Sequence, residues 1–297
     1  MQRWARVLAG AVAAAMAVPG AAQSGQSAPD QPTIVVEGRD RDQQIDELVD
    51  SLPPAPANGH IARFEHNACP AILGVPPAQR ALVAARMRAV GAAAGVPMGS
   101  ASCRPNIVVL VTSDKRQLIA QLARRYPYYL GELSGREVRR LAESPSLSAL
   151  WHMRGLVDAD GREIAPNAGD VAMVQTTRAG SRIVDQAHPE YVGSVLVVEA
   201  RALDGLTTTQ LADYAAVRTF TGADPARLPD RSASTILTLL DAPMGSEVPI
   251  TLTSWDLALL QSLYASEVNI RAPSQRGEIQ AGMRRTLDRP AERRANH

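Results

Sequence analysis

Two stretches of the chain are strongly apolar without helical periodicity. Asn106–Thr112 reads NIVVLVT and Gly193–Ala200 reads GSVLVVEA. Apolar runs of this length mark strands covered on both faces, so both are predicted near the centre of a sheet. Shorter strands are expected at Ile61–Phe64, 149–156, 170–176 and 181–186. Between them the apolar period changes to that of a helix. Ile45, Leu48, Val49 and Leu52 predict a helix over 40–52, ended by the Pro53-Pro54-Ala55-Pro56 stretch. Pro76-Pro77 opens an alanine-rich helix that Gly95 closes. Asp114 can cap a helix over 115–125, and Ser134-Gly135-Arg136-Glu137 has the form of a capping box. Further helices are expected at 208–220, capped by a threonine of the Thr207–Thr209 run, and at 233–240, 254–265 and 274–287. The sum is an α+β fold, a mixed sheet flanked by helices.

The first residues follow a different logic. Arg3 and Arg6 precede an apolar run from Val7 to Val18, and Gly20-Ala21-Ala22 offers small residues for cleavage. This is the three-part pattern of a secretory signal peptide, and the run is shorter than the roughly 20 residues a spanning helix needs. Residues 1–22 are therefore expected to be a signal peptide. Residues 23–57 are expected to be a leader and linker with a short strand and helix. The main α+β domain is placed at 58–288 and a basic disordered tail at 289–297. The mature product is expected in the periplasm or secreted, with no membrane span.

Export changes the meaning of the cysteines. Cys69 and Cys103 are the only two in the chain. In an oxidising compartment an even count reads as a disulfide, and their wide separation disfavours a redox or thiolate metal pair. The net charge of +1 supplies no basic field for nucleic acid.

The chemistry-bearing residues form no complete catalytic motif. There is no phosphate-cradling glycine loop and no nucleophile elbow. The histidines at 60, 66, 152, 188 and 297 have no partner at helical spacing for zinc. Glu65, His66 and Cys69 lie close in sequence, but an exposed loop beside a disulfide is the preferred reading. His152, beside Trp151 in an apolar strand, reads as a buried, hydrogen-bonded histidine. Asp158-Ala159-Asp160-Gly161 reads as a turn; the remaining spacing of a calcium loop is missing. No cofactor and no metal is called for.

One resemblance bears on function. A buried strand (Val195-Leu196-Val197-Val198) leads by a glycine turn into a helix, and a later helix begins Leu252-Thr253-Ser254-Trp255-Asp256 and ends Leu263-Tyr264. Over residues 190–265 this resembles matrixin-type zinc proteases and a related family of exported bacterial proteins of unknown function. The resemblance implies a zincin-like C-terminal half. In those proteases the helix after the strand carries H-E-x-x-H, two zinc ligands and a base. Here Gln210, Leu211 and Tyr214 stand at those positions, so the resemblance implies a fold whose zinc chemistry is lost. Met244 falls where a methionine turn is expected.

The expectation is a non-catalytic exported protein, a degenerate metalloprotease-like scaffold used for binding. Its candidate binding residues are Gln210, Asp213, Tyr214 and His152. Its partner is an unidentified envelope protein or peptide. The alternatives are a hydrolase with an unrecognised site and an envelope structural protein. A hydrolase should bring His152 or His188 to an acid and a nucleophile in one cleft; a binding scaffold should show a groove without that constellation.

Overall fold

In the computed structural model the two apolar runs lie side by side, as their composition dictates. The structure describes residues 38–55, 59–164, 177, 185–229, 233–243 and 245–295. These belong to a compact unit, Glu37–His297. The signal segment, Met244, and the strands expected at 170–176 and over 181–184 lie outside the described residues.

Among the described residues the sheet has four strands: β1 (Pro70–Leu73), β2 (Ile107–Thr112), β3 (Ser148–Asp158) and β4 (Ala187–Glu199), in the order β1-β2-β4-β3. β1, β2 and β4 run parallel, and β3 is antiparallel to β4. A parallel pair needs a crossover, and α2 (Pro77–Ala94) supplies it between β1 and β2. The remaining helices are α1 (Gly38–Asp50), α3 (Lys115–Arg125), α4 (Gly135–Glu143), α5 (Thr208–Thr221), α6 (Ser254–Ala265) and α7 (Ala272–Ala295). The α+β class is thus observed.

The central strands are buried on both faces for a visible reason. In β4, Leu196 and Val198 enter the main core beneath α1, α2, α5, α6 and α7. Val195 and Val197 point the other way and pack with Trp151, Ile119 and Leu130. Successive side chains on a strand alternate faces, so a strand feeding two cores must be apolar throughout.

Several boundaries move. The stretch Ile61–Phe64 is extended but forms no strand; Arg63 merely accepts one backbone bond from Tyr191 N. The strand lies later, at β1, where a leading proline hid a four-residue edge strand. α1 is no linker helix. Ile45, Leu48, Val49 and Leu52 are buried in the main core, so the domain begins before residue 58. The helix expected at 233–240 contracts to one 3-10 turn at Ile236–Thr238. α7 continues to Ala295, so most of the expected disordered tail prolongs its backbone. The caps follow the sequence. Asp114 accepts from Gln117 N, and Ser134, Thr207 and Thr253 each close a capping box.

The disulfide Cys69–Cys103 is formed. It ties the entrance of β1 to the approach to β2. No helix among the described residues is long and apolar enough to cross a membrane.

Candidate functional site

The two edges of the sheet are not equivalent. β1 is four residues long and starts with proline, the usual way of blunting an edge. β3 is eleven residues long. Its far end is paired back on itself: Asp158 N donates to Arg162 O and Ile164 N donates to Leu156 O. Along Ser148–Gly155 no strand covers the outer edge among the described residues. A cleft of about 700 Å³ runs along that stretch, lined by residues 148–152 and by Arg154. Its opposite walls come from α4, from the end of α5 and from Pro53 and Pro54 after α1.

The cleft floor is built where α5 ends. Gly222 closes the helix with φ 72°, and a Cβ there would sit 2.9 Å from Tyr191 Oη and 3.2 Å from His152 Cε1. Only glycine allows both the turn and this approach. His152 stacks on Tyr191 with ring centroids 3.8 Å apart and interplanar angle 16°. Its Nε2 lies 2.9 Å from the Thr219 carbonyl, which requires a proton on that nitrogen. Burial, reinforced by Arg218 and Arg154, pushes His152 down to about 4. The ring is therefore neutral at pH 7, with Nδ1 an acceptor. Burial raises Tyr191 to about 12, so it stays a phenol.

The cleft carries charges of both signs: Glu132, Glu137 and Asp224 line it together with four arginines. Arg140, Arg154, Arg218 and Arg227 line the cleft. Arg227 donates to Leu52 O. Arg218 is 5% exposed, donates to the Ala223 carbonyl, and leaves its Nε without a partner. Arg140 interacts with Glu137 across the cleft wall, whereas Arg154 and Arg218 form no close ion pair among the described residues. A buried cation with no counter-ion is costly and stands ready for an anion.

The residues proposed from sequence do not converge. Gln210 turns back to cap its own helix at Thr207 N and donates to Pro249 O, 3.0 Å away. Asp213 is fully buried and accepts from Arg86 Nε at 2.7 Å, Arg86 Nη2 at 3.1 Å, Thr251 Oγ1 at 2.7 Å and Leu252 N at 2.7 Å. Tyr214 is fully buried, its hydroxyl 2.7 Å from Ser148 Oγ. Leu211 is buried as well. These four pin α5 to its neighbours. Of the four candidate binding residues, His152 alone lines the cleft. The arginines were missed because nothing in their spacing shows that α4, β3 and α5 border one cavity.

A second polar group was also missed. Three histidines pair with carboxylates where the 59–68 segment crosses the start of β4. His60 Nε2 lies 3.3 Å from Asp185 Oδ2, His188 Nε2 lies 2.8 Å from Glu65 Oε1, and His66 Nδ1 lies 2.8 Å from Glu190 Oε2. The hydrogen bond to Glu190 raises His66, whereas burial lowers His60. A strand start at Gly193 hid the i, i+2 spacing that puts His188 and Glu190 on one face of β4.

No hydrolytic constellation appears among the described residues. His188 meets an acid but does not line the cleft; His152 lines the cleft but bonds a backbone carbonyl. Of the cleft serines, Ser148 bonds Tyr214 and Ser146 bonds Asp241, and neither meets a histidine. Comparison with protein families, characterised proteins and solved structures returns no match.

Proposed function

We propose that this chain is an exported, non-catalytic binding protein whose cleft takes up an extended acidic segment of another protein. The observation that carries this reading is the long edge of β3, uncovered among the described residues, beside a cleft that holds Arg154 and the buried Arg218, whose Nε has no partner. An extended segment laid along Ser148–Arg154 would gain main-chain hydrogen bonds by strand addition. Its side chains would enter the cleft, and a carboxylate would supply the counter-charge for Arg218 and Arg154. The neutral His152 adds an acceptor at the floor.

The resemblance to zinc proteases fits as a lost activity. The positions of the two ligands and the base are filled by Gln210, Tyr214 and Leu211, each engaged in packing or bonds of its own. Export rests on the N-terminal pattern, and a disulfide is at home in that compartment. Fractionation of a tagged full-length chain tests export: cleaved product outside the cytoplasm supports it, and uncleaved cytoplasmic product contradicts it.

Peptide selection tests the cleft. Short random peptides displayed on phage are panned against the mature protein, and the binders are measured by fluorescence anisotropy. Acidic binders weakened about tenfold by Arg154→Glu, roughly 1.4 kcal/mol, are expected. Binders insensitive to that exposed charge reversal would contradict the assignment.

A further inference from the structure

We propose that His66, Glu163 and Glu190 form a divalent-cation site, with zinc the ion their donors suit best, outside the β3 cleft. One donor atom from each lies within 4.8 Å of the others. The three come from separate places: the segment before β1, the turn after β3, and β4. Two further observations point to a ligand.

First, Glu190 is buried with 1% of its side chain exposed, and its Oε1 has no hydrogen-bond partner. A buried carboxylate oxygen left bare is costly. A cation held by this carboxylate would remove that cost. Secondly, the His66 ring is already held as a ligand ring would be. Its Nε2 lies 3.1 Å from the Gly161 carbonyl. A metal-ligating histidine characteristically donates its other ring nitrogen to a backbone carbonyl or carboxylate, which fixes the tautomer and aims the free lone pair. Here that arrangement aims Nδ1 at Glu190.

The donor set selects the ion. One imidazole nitrogen and two carboxylates leave room for water, the pattern of a three-ligand zinc site. Calcium and magnesium favour all-oxygen cages of higher coordination number. The site is reachable, because Glu163 is exposed and the His66 side chain is 41% exposed. Tetrahedral donors around zinc stand about 3.4 Å apart, so the 2.8 Å Nδ1–Oε2 contact must open by about half an ångström.

The proton is therefore the competitor. With both ring nitrogens facing acceptors, the hydrogen bond to Glu190 favours a proton on Nδ1. Zinc must displace the Nδ1 proton, so binding releases protons and tightens as pH rises. Glu65 and Glu163, the other carboxylates acting on Glu190, favour the cation further. The bound ion would clip the segment before β1 to the β3–β4 turn.

The test is calorimetric titration of chelator-treated mature protein with zinc chloride at two pH values. One zinc per chain is expected, with affinity higher at the higher pH. Glu163→Gln should weaken binding about tenfold and His66→Ala about a hundredfold. Both positions are accessible, and an unchanged far-UV circular dichroism spectrum establishes that each variant is folded. Absence of zinc uptake by the wild type, or uptake unaffected by both substitutions, overturns the proposal.

Discussion

Asp213 shows how a polar residue on α5 can be structural, and Asp213→Ala measures it. The carboxylate is wholly buried and receives four hydrogen bonds, two from the Nε–Nη2 edge of the Arg86 guanidinium, one from the Thr251 hydroxyl and one from the Leu252 amide. Truncation leaves the Leu252 amide and the Thr251 hydroxyl without their acceptor, at about 1–3 kcal/mol for a buried unsatisfied group. Breaking a fully buried ion pair costs about 3–5 kcal/mol. Arg86 is 40% exposed and can turn to water, so its share must be discounted. The net loss is about 3 kcal/mol, or about 6–12 °C in Tm for a chain of this size. Asp213→Asn keeps the shape but turns an amide donor toward a cluster of donors, and should fall between the two. Differential scanning fluorimetry of the oxidised mature protein reads both. A shift below about 2 °C for Asp213→Ala would refute the reasoning, since an exposed acid would behave that way.

Other consequences follow from the same structure. Replacing Cys69 and Cys103 with serine opens a 34-residue separation and should cost about 3–4 kcal/mol in urea unfolding. His152 makes stability depend on acid. Its folded pKa of about 4 lies below the model-peptide 6.5, so the unfolded chain binds the proton first. Its contribution is complete above pH 6.5 and is lost between there and pH 4, by up to about 3 kcal/mol. The difference in stability between wild type and His152→Gln should carry that slope, and a flat difference contradicts it. His66 acts in the opposite sense: its raised folded pKa stabilises fully below 6.5, and the benefit fades as pH rises from 6.5 through the higher folded pKa. Lys115, the single lysine, is 2% exposed and donates to Ser144 O and Ser146 O. It should resist amine acylation in the native protein and react in urea, as peptide mapping will show.

What the sequence made legible was whatever depends on near neighbours. β2 and the core of β4 are continuous apolar runs, and the helix starts carry their caps within three residues, so both could be read directly. β1 could not, because its four residues become a strand only by pairing with β2. α1 looked like a linker because the proline stretch after it suggested a boundary, yet its apolar face completes the main core against α7. At the site the pattern repeats. His152 was recognisable as a hydrogen-bonded histidine from its strand context, though it is half-buried at the cleft floor. Gln210, Asp213 and Tyr214 were recognisable as a polar set on one helix, but their partners lie on α2, β3 and the loop before α6. The cleft arginines and the His66–Glu190 pair are joined only by the fold, across 124 residues in the latter case.

The central claim is that the outer edge of β3 receives an extended segment. Hydrogen–deuterium exchange of the mature protein, with and without a selected acidic peptide, tests it most directly. Binding should slow exchange at amides within 148–155 and leave β1 unchanged, and Arg154→Glu should abolish the difference at equal peptide concentration. Protection confined to the His66 region or to β1, with 148–155 unaltered, would contradict the account.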